Sequence, residues 1–205
     1  MQNHIQHETM QQLETLYKEW EIDIQDLKAQ SNLHCVPHCG QCCTRLEPYI
    51  SILEATYVLY KISPISEKLQ QSFQCSQEYK KMICPFYDET IPFRCTIYSH
   101  RPVICRLYSF ACDKTKQYIL CPNIQKTYPN ETYKAQQLLL QKKCHLPSYQ
   151  EAFQQLCKID YQLATDYHPF NRSLELAYQI YFSKIPYQPS LPSFFCQYIR
   201  NKHQK

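Results

Sequence analysis

Thirteen of the 205 residues are cysteine, and a cysteine-rich segment with the spacings of metal ligands runs from Cys35 to Cys121. The first group is Cys35, Cys39, Cys42 and Cys43, with Gly40 and Gln41 between the second and third. Two thiolates separated by two residues can curl around one ion while backbone amides point at the sulfurs. Gly40 relieves crowding in that turn. Cys84, Cys95, Cys105 and Cys121 follow in the next stretch. Adjacent Cys42 and Cys43 add a constraint, because neighbouring side chains tend to diverge. The expectation is that they serve two different centres; the alternative is one ligand beside one packing residue. Eight thiolates suit two four-ligand centres, or one centre plus structural or exchanging thiols.

The chemistry expected of such a set is an iron–sulfur cluster, or otherwise zinc. Cys84 and Cys121 are each followed by proline, which stops a helix and brings no competing amide. The same Cys-Pro pairing ends the bacterial ferredoxin run. Four thiolates around Zn²⁺, or around a [4Fe–4S]²⁺ core, leave a formal charge of about −2. Burying that charge requires donors and cations nearby. Arg94, Arg101 and Arg106 lie beside the ligands in sequence. Arg101 and Arg106 are expected to neutralise the centre. The plainer alternative is ion pairing with Asp88 or Glu89.

The remaining candidates read as packing or surface. Cys75, Cys144, Cys157 and Cys196 sit in apolar helical patterns, where a free thiol is ordinary core. Cys112 is intermediate, since it falls between Cys105 and Cys121. His34 and His38 flank the first group and are expected on the surface or beside a ligand. His100 is expected to be exposed, and Tyr98 and Tyr108 to pack. Glu19 and Glu21 read as a solvated helix face. No G-x-S-x-G motif exists.

Composition narrows the function classes. Gly40 is the single glycine. Phosphate-cradling and dinucleotide loops need several, as does the usual S-adenosylmethionine loop. The net charge is +4 without a run of like charges, so no nucleic-acid partner is expected. The N-terminus lacks a basic start followed by an apolar stretch, and no segment approaches the ~18 apolar residues of a span. A cytoplasmic location without membrane partners is the expectation, and thiols stay reduced there. An odd cysteine count also leaves one unpaired in any all-disulfide scheme. A protein partner remains open.

The elements that must position these residues are mainly α: helices flanking an irregular cysteine-rich metal-binding module. Residues 1–33 read as an N-terminal helix, with Leu13, Leu16, Tyr17, Trp20, Ile24 and Leu27 on one stripe. Residues 34–125 form the module. Within it, Ser51 and Glu54 make a capping box opening a helix at about 52–62, which Pro64 ends. A second helix is expected over 66–82, and a small hairpin between Cys84 and Cys121. Residues 126–205 form a C-terminal helical region. Its expected helices are one capped by Asn130, one opened by Ser148 and Glu151 and carrying Phe153, Leu156, Ile159 and Leu163, one started by Asn171 or Ser173, and one over 194–200.

The pieces CGQCC at 39–43, CPFYD at 84–88, CTIYSHRPVICRLY at 95–108 and CP at 121–122 together resemble the YkgJ-type cysteine-cluster proteins. That family carries the zinc- or iron-chelating CxxCxxCC domain. The resemblance covers about residues 35–125 and implies a metal-chelating module with the eight cysteines as ligands. One departure concerns Cys35, which lies one residue further from Cys39 than the family's C-x2-C opening. Similar segments occur in flagellin lysine methylases, where an iron–sulfur centre is implied; the missing glycine-rich loop argues against methyl transfer here. Two roles follow. One is redox, electron-transfer or accessory enzyme chemistry on iron–sulfur. The other is a zinc-stabilised interaction module.

Overall fold

A computed structural model describes residues 2–45, 48–67, 84–112, 118–119 and 121–182. The expected helices at 66–82 and 194–200, with Cys75 and Cys196, lie almost wholly outside these residues. The described chain is mainly helical with little strand, as expected. It divides into two compact units, one of residues 1–39 and 103–155, the other of 40–102 and 156–205.

The first unit is built on helix α1 (Gln2–Ser31). The predicted stripe is its buried face: Leu13, Leu16, Tyr17, Trp20, Ile24 and Leu27 are all buried. The helix ends where Asn32 adopts a left-handed φ of 60°. Ser31 closes the last turn, its Oγ donating to the Leu27 carbonyl and accepting from the Leu33 amide. Five further elements follow. They are α4 (Val103–Arg106), the strand pair β2 (Ala111–Cys112) and β3 (Tyr118–Ile119), α5 (Pro122–Thr127) and α6 (Pro129–Leu140). The pair is antiparallel, with Cys112 opposite Tyr118, and is the expected small hairpin. Helix α6 packs on α1 and on α5. Both α5 and α6 start with proline, whose fixed φ suits the first helical position and whose missing N–H is not needed there. Tyr128, not Asn130, is therefore the residue before α6, and Asn130 lies inside its first turn. Ser148 and Glu151 form the reciprocal box before α7 (Tyr149–Ile159), at 2.7 and 3.1 Å.

The second unit holds α2 (Gln41–Arg45), β1 (Tyr49–Ser51), α3 (Ile52–Ile62), α8 (Tyr161–Thr165), β4 (Tyr167–Pro169) and α9 (Phe170–Phe182). A single 3₁₀ turn covers Tyr98–His100. Helix α3 opens with the predicted box: Ser51 Oγ accepts from the Glu54 amide, and the Glu54 carboxylate accepts from the Ser51 amide at 3.2 Å. Ile52 through Leu59 are all buried, so α3 is the unit's central helix, and α9 packs along it. Strands β1 and β4 pair antiparallel, Ile50 opposite His168.

Two helix expectations are corrected in this unit. Leu163 does not continue the preceding helix, because Asp160 turns to φ −152° and caps α8 through the Leu163 amide. Helix α9 starts at Phe170, which leaves Asn171 and Ser173 inside its first turn. Ser173 Oγ instead donates to the carbonyls of Ile50 and His168, tying α9 to the strand pair.

Candidate metal centre

In the second unit the chain turns at Gly40, where φ is +58°. A Cβ there would stand 2.7 Å from Tyr87 Cε2 and 3.1 Å from Arg94 Cγ, so glycine is required by both backbone and space. The Gly40 carbonyl accepts from the Cys43 amide at 3.0 Å, which winds Cys42 and Cys43 into the first turn of α2. Their Sγ atoms are 3.9 Å apart. This corrects the expected divergence. Adjacent side chains oppose each other on an extended strand, but on a helical turn they are only about 100° apart.

Cys84 is brought to the same place by its backbone, its amide donating to the Cys43 carbonyl at 3.0 Å. From there the chain makes a tight loop. Tyr87 N donates to the Cys84 carbonyl, Tyr87 bridges Cys95, and Thr96 N donates to the Phe86 carbonyl at 2.9 Å. Asp88 closes the loop tip by accepting from the Thr90 amide and hydroxyl, which holds its carboxyl below the usual range. Cys84 and Cys95 thus sit on the two arms of one loop. Cys43 faces the thiols of both Cys42 and Cys84 and senses the charge of Cys95.

The electrostatics are those of a crowded thiol set. The Cys42 thiol is pushed far above its usual range, first by its contact with Cys43 and then by burial. At Cys43 the Cys42 thiol favours ionisation. The Cys84 contact, burial and the nearby Cys84 and Cys95 sulfurs outweigh it, and the thiol is pushed up to about 12. Burial raises Cys95 as well. One cation opposes the trend at both Cys42 and Cys95, and it is Arg101. Such a set stays protonated on its own and ionises when a cation arrives.

The other four motif cysteines belong to the first unit. Cys39 ends a turn in which its amide donates to the Val36 carbonyl and His38 takes a φ of 55°. Asn123 Nδ2 donates to Cys39 Sγ at 3.0 Å. Cys121 precedes α5 as its cap residue, and Cys105 lies in α4 beside Tyr149, whose phenol is pushed up first by burial and then by Cys105. Cys35 and His34 are exposed. Among the described residues no group of three or more His, Cys, Asp or Glu side chains is closed into a metal-holding arrangement. The described cysteines are all thiols. Cys112 and Cys144 are buried, and Cys157 is half-buried.

The two arginines diverge. Arg101 Nε donates to the Tyr98 carbonyl at 2.9 Å, and its guanidinium lies 3.7 Å from the Tyr98 ring centre. Arg106 turns to α1, pairing with Glu21 at 3.2 Å and covering the Tyr17 ring at 4.6 Å. Arg106 thus pairs with Glu21 rather than with Asp88 or Glu89, and Glu21 is not merely a solvated face. His100 is half-buried rather than exposed, edge-on to Tyr57. Sequence reasoning missed Asn123, whose signal is an amide side chain two residues after Cys121 at a helix start.

A mainly helical chain carrying clustered thiols of this kind defines a cysteine-rich metal-chelating protein. Residues 34–145, more than half of the chain, match the CxxCxxCC family, described as a putative zinc- or iron-chelating domain. The protein belongs to that family. The match runs past Cys121 to include α5, α6 and Cys144. No curated protein and no solved structure matches the chain.

Proposed function

We propose that the protein binds zinc or iron through Cys42, Cys43, Cys84 and Cys95, with at least Cys42 and Cys43 on one metal atom. The observation that carries this reading is the 3.9 Å separation of their sulfurs. Four sulfurs about 2.3 Å from one ion stand about 3.8 Å apart along each tetrahedral edge. The pair therefore fits zinc, one iron, or one iron of a two-iron cluster. Bound there, zinc would staple the 84–96 loop to α2, whereas iron would add one-electron chemistry. Cys35, Cys39, Cys105 and Cys121 form a second set of the same composition in the other unit. Their support is the family's motif and the Asn123 amide on Cys39.

The test is metal and sulfide quantification on protein purified under oxygen protection, beside Cys43→Ser and the control Cys157→Ser. Zinc leaves the protein colourless, and iron–sulfur gives a broad absorbance near ~400 nm. The wild type and Cys157→Ser should hold metal that Cys43→Ser has lost. Equal content in all three overturns the assignment.

A further inference from the structure

Asn123 lies in α5, just after Cys121. Its Nδ2 donates to Cys39 Sγ at 3.0 Å, a bond between residues 84 positions apart in sequence. Cys121 opens the same helix. Its carbonyl accepts from the Gln125 amide at 3.1 Å, and its sulfur takes no part in capping. One turn of chain therefore carries both the Cys121 thiol and the amide that holds the Cys39 thiol. The length of that bond bears on the sulfur. A neutral thiol is a weak acceptor, and 3.0 Å is the usual separation between a nitrogen and the smaller oxygen atom. Charge-assisted bonds are the shorter and stronger ones. Asparagine near a helix start commonly turns to the backbone; here the amide is turned to a sulfur.

Resting on the metal-binding reading above, with Cys35, Cys39, Cys105 and Cys121 as the second ligand set, we infer that Asn123 is a positioning residue for that set. Its amide holds the Cys39 sulfur beside the turn that carries Cys121, and it donates to the thiolate when an ion is bound. The donated hydrogen offsets part of the excess negative charge of a four-thiolate site. The bond also spares the ion part of the gathering, because two of its ligands already share one local frame. Partners of this kind orient metal ligands, and their loss costs about 10- to 100-fold in affinity. Aspartate has nearly the same size and shape but, ionised, accepts and does not donate. At this position it would repel the sulfur that asparagine holds.

The experiment uses the full chain carrying Cys43→Ser, which empties the other set, titrated with cobalt(II) under oxygen protection. Added to this parent, Asn123→Leu should weaken cobalt binding about tenfold, and Asn123→Asp at least as much. The thiolate-to-cobalt charge-transfer band should move to longer wavelength in Asn123→Leu. Its sulfur has lost the donor that lowers the energy of the lone pairs, and a merely structural change would leave the band in place. With Cys39→Ala already present, Asn123→Leu should cost nothing further, because both changes remove one interaction. Asn123 is half-buried, and Asn123→Asp keeps its volume, so the idea stays testable if the leucine variant folds poorly. Parental affinity with an unmoved band in Asn123→Leu or Asn123→Asp, or additive losses in the double variant, would overturn it. If the folded parent binds no cobalt, or Cys39→Ala binds it as tightly as the parent, the second ligand set is misassigned and the inference goes with it. If the wild type binds neither zinc nor iron, the metal-binding reading itself fails.

Discussion

The two sets of four cysteines have the same composition but are built differently. In the second unit, Cys42 and Cys43 share a helical turn, and Cys84 is tied to that turn by a backbone hydrogen bond. Cys95 stands on the opposite arm of the same loop. The sulfurs interact with one another before any ion is considered. In the first unit, Cys35 is exposed, Cys105 lies in a short helix and Cys121 sits at a helix start. Cys39 Sγ accepts a hydrogen bond from the Asn123 amide. Backbone hydrogen bonds therefore bring Cys84 to the turn that holds Cys42 and Cys43. In the other set, an ion would have more of the gathering to do, and affinity falls with the entropy of that gathering.

The sharpest way to break this contrast is to remove one ligand from each set. Cys43→Ser should abolish the stabilisation that metal gives the second unit, about 4 kcal/mol with free metal at a thousand times Kd. Cys35→Ser should cost less, since its thiol is exposed and lies one residue outside the family spacing. Thermal melts with and without added zinc read the difference. A larger loss in Cys35→Ser would reverse the ranking of the two sets.

Gly40→Ala attacks that turn rather than the ligands. The new Cβ meets a ring carbon at 2.7 Å on a backbone with φ +58°. The combined strain should cost about 2–3 kcal/mol even without metal. Chemical denaturation of the metal-free protein checks this, and wild-type stability would show that Tyr87 and Arg94 move aside freely.

The arginines sharpen the comparison from the side of charge. Arg106 is 95% buried, while the Glu21 side chain is about one-third exposed. Arg106→Gln should destabilise the first unit by about 2 kcal/mol, below the full cost of breaking a wholly buried pair. Arg106→Met, similar in bulk, should recover most of it. Neither should change zinc affinity by more than about twofold, because the guanidinium is turned to Glu21 and Tyr17. A metal defect in Arg106→Met with normal stability would place that cation at a centre after all.

What the sequence made legible was local. The Ser51–Glu54 and Ser148–Glu151 boxes and the α1 stripe are patterns within a few turns, and they fold as read. Asn130 and Asn171 look like caps, yet Pro129 and Phe170 already stand inside their helices. The β1–β4 pairing was not legible, because Tyr49–Ser51 and Tyr167–Pro169 are short and far apart in sequence. The cysteine spacing predicted the chemistry, and the family match supports it at the level of zinc or iron. How Cys42 and Cys43 point depended on a helix of five residues, too short to leave a periodic signal. The direction of Arg106 depended on Glu21, which lies on a different element.

The smallest effect separates a packing thiol from a ligand thiol in the first unit. Cys144 is buried, and its thiol is pushed up to about 11 by burial and by the Asp26 carboxylate, against 9.0 in the open chain. The unfolded chain therefore loses this proton first as pH rises. Cys144 contributes its full share of stability below pH 9, and that share declines as pH climbs toward 11. Comparing metal-free wild type with Cys144→Ala isolates the residue from other groups that titrate there. Their stability difference should be constant up to about pH 8.5 and narrow by on the order of 1 kcal/mol by pH 11, allowing for solvent screening near the thiol. A difference that stays flat across this range means the thiol ionises equally in both states. A variant that also loses zinc would move Cys144 from the core into the ligand set, which the extension of the family match to residue 145 makes worth measuring.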